Sequence, residues 1–510
     1  MLLLSKRSNL LRFGLTLGFL LGVTTTIGLF FNHGTVPLAL ILAVLFGGYM
    51  AITIGANDAA NNLGAPVGSK ALTLTSALII AIVFESAGAL IAGGDVMNTI
   101  KGEIINPALI RNQEDFVWLM LSALLAAALW IHLATALGAP VSTTHSIIGG
   151  IVGAGITVGG LGIANWSKIA AIASSWIISP LLGGLIAAAF LYLIKNTLTY
   201  RENMSRAAIR VVPILVAAMA WAFSAYLILK GFKQIWQVDF MTAILASLVI
   251  AVGLYLIIQP AIAQAADRLP QSKIEINRLF NIPLFFAAAL LSFAHGANDV
   301  ANVVGPIAAI HEVMLGFGVS ELASIPLWIM LIGVSGLALG LVLYGPKLIK
   351  VIGSEITELD QIRAYCIVMA VSITIILASE FSIPVSSTHI TVGAVFGVGF
   401  LREYLKSHHA ETREKITRHL EGKKLSLIHH FMDEFYQASL PEKRKMLKQL
   451  EIHSNAPELS KKERKELRKL YRQELVKRST FLKIVIAWLI TLPIAGIFAS
   501  LLYLLIQMIK

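Results

Sequence analysis

Charge is what this chain has least of. Only 14% of its 510 residues are Asp, Glu, Lys or Arg, whereas a soluble globular chain carries roughly 25%. That shortage excludes a water-facing surface over most of the length. Cysteine is scarcer: the single Cys366 excludes an intramolecular disulfide and any cysteine metal cluster. No G-x-S-x-G elbow is present, so one signature of a serine hydrolase is missing. No A-x-A cleavage site follows the basic start (Lys6, Arg7, Arg12) and the apolar stretch Phe13–Phe31. That beginning therefore reads as a retained anchor helix, not a cleaved leader.

What remains is apolar. Hydrophobic residues make up 56% of the chain and the mean hydropathy is +0.77. Runs such as Leu182–Ile194 and Phe481–Ile506 suit a hydrocarbon core ~30 Å thick. The expected fold is an all-α polytopic membrane protein with about 12–13 spans, among them 38–56, 141–160, 282–299 and 384–400. The formal charge of +12 is unevenly spread: between Arg402 and Thr480 there are 20 basic and 12 acidic residues. By the positive-inside rule that stretch faces the cytoplasm, as do the 195–210 and 267–278 loops. Such basic loops are ordinary for cytoplasmic membrane-protein segments, so no nucleic-acid partner is expected.

Two polar sequences interrupt this apolar background, each written twice. "GANDAANNLG" begins at Gly55 and "GANDVANVVG" at Gly296; "PVSTTHSIIGG" begins at Pro140 and "PVSSTHITVGA" at Pro384. The two motifs stand 85 residues apart in the first copy and 88 in the second. Counting spans runs the first decapeptide helix inward and the second outward, so the repeat is inverted. Inverted repeats with interrupted helices at matching places point to a secondary transporter with a site near the bilayer midplane.

The residue types suggest the chemistry. Gly64/Pro66 and Gly305/Pro306 are expected to break their helices just after each decapeptide. Asp58 and Asp299 then supply negative charge, and Asn57, Asn61, Asn298 and Asn302 neutral oxygens, for a small hard cation. Polar groups in hydrocarbon can also cap broken helices or bond between helices; two inverted copies favour function. The Ser/Thr-rich segments read as helix starts that present hydroxyls and N–H groups to an oxyanion through Ser142, Thr143, Thr144, Ser386, Ser387 and Thr388. Glu85, inside a span, reads as a coupling carboxylate, with Glu380 considered as its counterpart. His145 and His389 read as hydrogen-bonded scaffold. An Asp–Ser–His hydrolase is disfavoured, because an enzyme needs one nucleophile and not two matched constellations.

These four motifs, together with "FESAG" around Glu85, resemble the duplicated signatures of the inorganic phosphate transporter family over about residues 38–200 and 280–400 and the final span. The resemblance implies an inverted-repeat symporter, usually a homodimer, importing phosphate with Na⁺ or H⁺ across the plasma (inner) membrane. It assigns phosphate binding to Asp58, Asp299 and the six Ser/Thr residues. Ion coupling falls to Asn57, Asp58, Asn61, Glu85, Asn298, Asp299 and Asn302. No bound cofactor is expected beyond co-transported Na⁺ (or H⁺). A sulfate permease of the same family and a phosphate sensor are the alternatives. The family's second-repeat glutamate is missing, since the region where it is expected reads "AYCIVMAVSITI".

The expected organisation is an added anchor span (1–35), repeat one (36–200), connector helices (201–280) and repeat two (281–401), then a basic cytosolic helical insert (402–480) and a final span (481–510).

Overall fold

The computed structural model describes residues 2–30, 36–110, 112–231, 238–268, 272–316, 325–350, 359–420 and 478–510. Among them there is no sheet, only an isolated bridge between Ile105 and Ala164. Eleven described helices are long and apolar enough to cross a membrane. The spans expected near 141–160 and 384–400 are not among them: they start inside the protein, at Thr143 and Ser387.

The helices are α1 (Leu2–Phe30), α2 (Leu38–Gly68), α3 (Leu74–Ala92), α4 (Gly94–Asn98), α5 (Gln113–Leu137) and α6 (Thr143–Gly159). There follow α7 (Trp166–Ile194), α8 (Met204–Tyr226), α9 (Phe240–Asp267), α10 (Lys273–Arg278), α11 (Asn281–Asp299) and α12 (Ala301–Met314). The last group is α13 (Leu327–Tyr344), α14 (Pro346–Lys350), α15 (Gln361–Glu380), α16 (Ser387–Leu420) and α17 (Arg478–Ile509). Most of the expected 402–480 insert lies outside the described residues; its first part continues α16 as far as Leu420.

Contacts come in matched pairs. α2 crosses α13 as α11 crosses α3; α5 lies beside α2 and α6 as α15 lies beside α11 and α16; α6 packs on α17 as α16 packs on α7. Glycine sets the distance at each crossing. A Cβ at Gly55 would meet the Leu337 carbonyl oxygen at 2.0 Å, and one at Gly340 the Ile52 oxygen at 2.0 Å. In the matched crossing, Gly296 would meet the Glu85 oxygen at 2.0 Å and Gly88 the Phe293 oxygen at 1.9 Å. Backbones approach this closely in membranes because small residues replace the missing hydrophobic drive between helices. α8 and α9 form a separate hairpin against α11 and α15, tied by the Tyr365 hydroxyl donating to the Leu215 carbonyl (3.3 Å).

In the first copy the break falls where it is expected: α2 runs unbroken through Gly55–Gly64 and ends at Gly68, two residues past Pro66. The second copy corrects the expectation. In the second copy the discontinuity falls at Val300, inside the motif, and α12 then continues through Gly305 and Pro306. A proline clashes with the carbonyl four residues before it and lacks an N–H, but its effect depends on whether that turn still has partners. The site is therefore built of side chains more than of freed carbonyls.

Candidate functional site

The Ser/Thr motifs begin helices as expected. Before α6 the chain turns through Gly138 at φ +76°, and before α16 through Ser382 at φ +55°. These equivalent left-handed positions reverse the chain so that Pro140 and Pro384 lead into a helix start. The Ser142 and Ser386 hydroxyls accept from the backbone N–H of His145 (3.1 Å) and His389 (3.2 Å) as N-caps. They hold the two helix ends, and the next two hydroxyls of each motif line the site.

Asp58 and Asp299 meet where α6 and α16 begin. Both are fully buried, at 0% exposure, so the site is sealed from either side. Thr143 donates to Asp58 Oδ2 (3.0 Å) and Ser387 to Asp299 Oδ2 (2.8 Å). The copies also interlock. Asn61 of the first donates to Thr388 (2.9 Å) and Ser387 (3.3 Å) of the second. Asn302 of the second donates to Thr144 (3.3 Å) and Thr143 (3.5 Å) of the first. Thr144 donates to the Val385 carbonyl (3.0 Å) and Thr388 to that of Val141 (3.1 Å). Asn57 accepts from the Val141 N–H (3.1 Å) and Asn298 donates to the Val385 carbonyl (3.0 Å), each anchoring the extended segment before a helix start. Residues 241 apart in sequence thus share one polar core.

Glu85 reaches it as well: Asn62 donates to Glu85 Oε1, which lies 3.2 Å from His295 Nδ1. His295 Nε2 stands 2.8 Å from Asp299 Oδ2 and 3.8 Å from Asp58 Oδ2. Sequence reasoning missed His295 and Asn62. The repeat does not mark them: His295 directly precedes the second decapeptide, but the first copy has Ile54 there. By the matched crossings, Glu85 corresponds to Leu337. One copy therefore carries a His–Glu pair where the other carries Ile and Leu, which explains why no second-repeat glutamate was found. Glu380 is not a counterpart; it is half-exposed, 3.4 Å from Lys230, which also pairs with Asp95 (2.7 Å).

His145 and His389 lie behind the site, edge to face at 4.5 Å, each against a tryptophan ring: Trp176 at 3.7 Å and Trp488 at 3.8 Å. Stacking on the tryptophans is the contact that holds both rings.

Chemically, the core offers two carboxylates and the buried, unpartnered amide oxygens of Asn61, Asn62 and Asn302. Hard oxygens of this kind suit a small cation. Facing them are hydroxyl donors at two helix N-termini, which suit an oxyanion.

Known proteins resemble this chain over most of its length. Residues 54–499 match the phosphate transporter family. The chain belongs to that family. A relative assigned by name as a phosphate permease in Helicobacter pylori (strain J99) is 48% identical over 510 residues, covering 98% of this chain and 95% of that protein. The alignment therefore runs through the 402–480 segment. A similarly named protein of Pyrococcus furiosus is 36% identical, covering 71% of this chain and 87% of its own length. A solved structure, the sodium-dependent phosphate transporter, superposes with a TM-score of 0.75 at 27% identity, over 93% of this chain and all of that one. As a member of the phosphate transporter family, the chain is a multi-pass membrane transport protein and not an enzyme.

Proposed function

We propose that this protein imports inorganic phosphate together with Na⁺ by alternating access across the plasma membrane. The observation that carries the reading is the matched pair of hydrogen bonds at Asp58 and Asp299. In the sealed core these carboxylates hold the hydroxyls of Thr143 and Ser387. A cation taken by the carboxylates and by the unpartnered oxygens of Asn61 and Asn302 frees those hydroxyls to donate to phosphate. The anion then meets donors in place of two bare carboxylates. Coupling follows from this exchange, since neither ligand is well accommodated alone.

Energetics ask for a cation. Moving one charge against the membrane potential costs ~2.3 kcal/mol per 100 mV, so a phosphate dianion costs roughly twice that. Co-bound Na⁺ offsets both the field and the repulsion from the carboxylates. The protonated oxygen of phosphate can donate to Asp58 or Asp299, which sulfate at neutral pH cannot, and this favours phosphate as the cargo. Matched contacts in the two halves, with opposed span directions expected from loop charge, support an inverted repeat that opens the one site to each side in turn. The test is phosphate uptake into proteoliposomes at fixed pH. Replacing Na⁺ with choline should abolish most of it; unchanged uptake would discard Na⁺ coupling.

A further inference from the structure

Away from the central core, a cavity of about 540 Å³ opens at the end of α2, lined by Lys70, Arg278, Arg363, Asp360, Asn277 and Asn281, among others. By loop charge this end faces the cytoplasm. We infer that it is a second anion site, for a protonated phosphate group: free hydrogen phosphate or a phosphomonoester. Among the described residues, its lining carries three basic side chains against one acid. Arg363 sits 3.0 Å from Asp360, and Arg278 lies 2.9 Å from Glu275, each pair formed within one helical turn. Asn281 and Gln361 are the first residues of α11 and α15, so both helices direct their positive dipole ends to this wall.

The second observation concerns acceptors. Asn277 is only 7% exposed, and its Oδ1 has no hydrogen-bond partner; nor does Oδ1 of Asn281. A buried carbonyl oxygen without a donor is costly. A fully ionised oxyanion cannot supply that donor, whereas a phosphate P–OH can, with Lys70, Arg278 and Arg363 taking the charged oxygens. The volume falls within the range of small-molecule sites, with room for phosphate and its water or for a small organic phosphate.

Position gives the site a consequence. Lys70 lies just past the end of α2, which carries Asp58, and Asn281 opens α11, which carries Asp299. A phosphate group bound between them ties the cytoplasmic ends of the two decapeptide helices together. Phosphate accumulating on this side therefore slows further import.

The experiment is equilibrium binding of radiolabelled inorganic phosphate to the full chain purified in detergent. Lys70→Gln/Arg278→Gln, both at exposed positions, should bind one phosphate fewer per chain than wild type, with uptake into phosphate-free proteoliposomes preserved. An unchanged count overturns the inference. So does displacement of this phosphate by excess sulfate as readily as by phosphate. Competition by soluble glycerol phosphate or by nanodiscs containing phosphatidic acid separates a soluble ligand from a lipid headgroup, and either result supports the site. Wild type without uptake, but with the count difference intact, would sink the transport reading and leave this site standing.

Discussion

Asp58 and Asp299 are held by the same kinds of partner yet differ in surroundings. Asp299 has His295 Nε2 at 2.8 Å, whereas for Asp58 the same atom is 3.8 Å away. Replacing either with Asn keeps the size and an acceptor oxygen for its hydroxyl partner, Thr143 or Ser387, but removes one charge from the cation site. Asp58→Asn and Asp299→Asn are each expected to lower Na⁺-driven uptake about tenfold or more, equivalent to about 1.4 kcal/mol of binding, while the thermal unfolding midpoint stays near that of wild type. If either variant transports like wild type, the shared site fails. The aspartates were legible because the decapeptide that carries them is written twice, each time inside an apolar span. His295 and Asn62 were not, because each has an apolar residue at its counterpart, Ile54 and Val303, so nothing in the repeat marked them. Ser142 and Ser386 were grouped with the lining hydroxyls, although the first Ser of each motif caps the helix. Sequence spacing does not separate a capping hydroxyl from one that faces a ligand a single residue later.

Glycines set how closely whole elements approach. α13 lies on α2 through Gly340 over Ile52 and Gly55 under Leu337, and α3 lies on α11 through Gly88 and Gly296. These crossings fix where Asp58 and Glu85 stand relative to the opposite copy. Gly340→Ala places a methyl 2.0 Å from a backbone oxygen, which no rotamer can relieve. The two helices must separate, at a cost of about 1–3 kcal/mol. The expected result is a lowered unfolding midpoint in detergent. Gly253→Ala in α9, where a Cβ would meet nothing within 4 Å, should leave the midpoint unchanged. Equal behaviour of the two variants would remove glycine from the account of these crossings. The helical class and the two interior helix starts were readable from apolar runs and from the Pro-Val-Ser pattern. The break in the second copy was not: it falls at Val300, ahead of Gly305 and Pro306, and α12 runs on through both, because a proline in the first turns of a helix costs few hydrogen bonds.

At the scale of the molecule, the two halves differ most in a connection. α6 passes to α7 through residues 160–165, while the equivalent passage from α16 to α17 contains the 57 residues 421–477, with a strongly basic composition. α17 nevertheless packs on α6 as α7 packs on α16, through Gly153 against Gly496 and Gly397 against Gly184. The final span thus packs on the first half as α7 packs on the second, a crossed pair that matches the two copies. None of the described core contacts of Asp58, Asp299 or Glu85 uses a residue beyond Thr388. Replacing 421–477 with a short flexible linker is therefore expected to preserve uptake within about twofold, a difference worth only a few tenths of a kcal/mol. A phosphate sensor that signals through this segment would instead keep phosphate binding and show no transport before or after the deletion. Uptake in matched proteoliposomes, normalised to inserted protein, separates the two. Loss of transport on deletion, with the shortened chain still folded, would mean that the basic stretch belongs to the transport cycle itself.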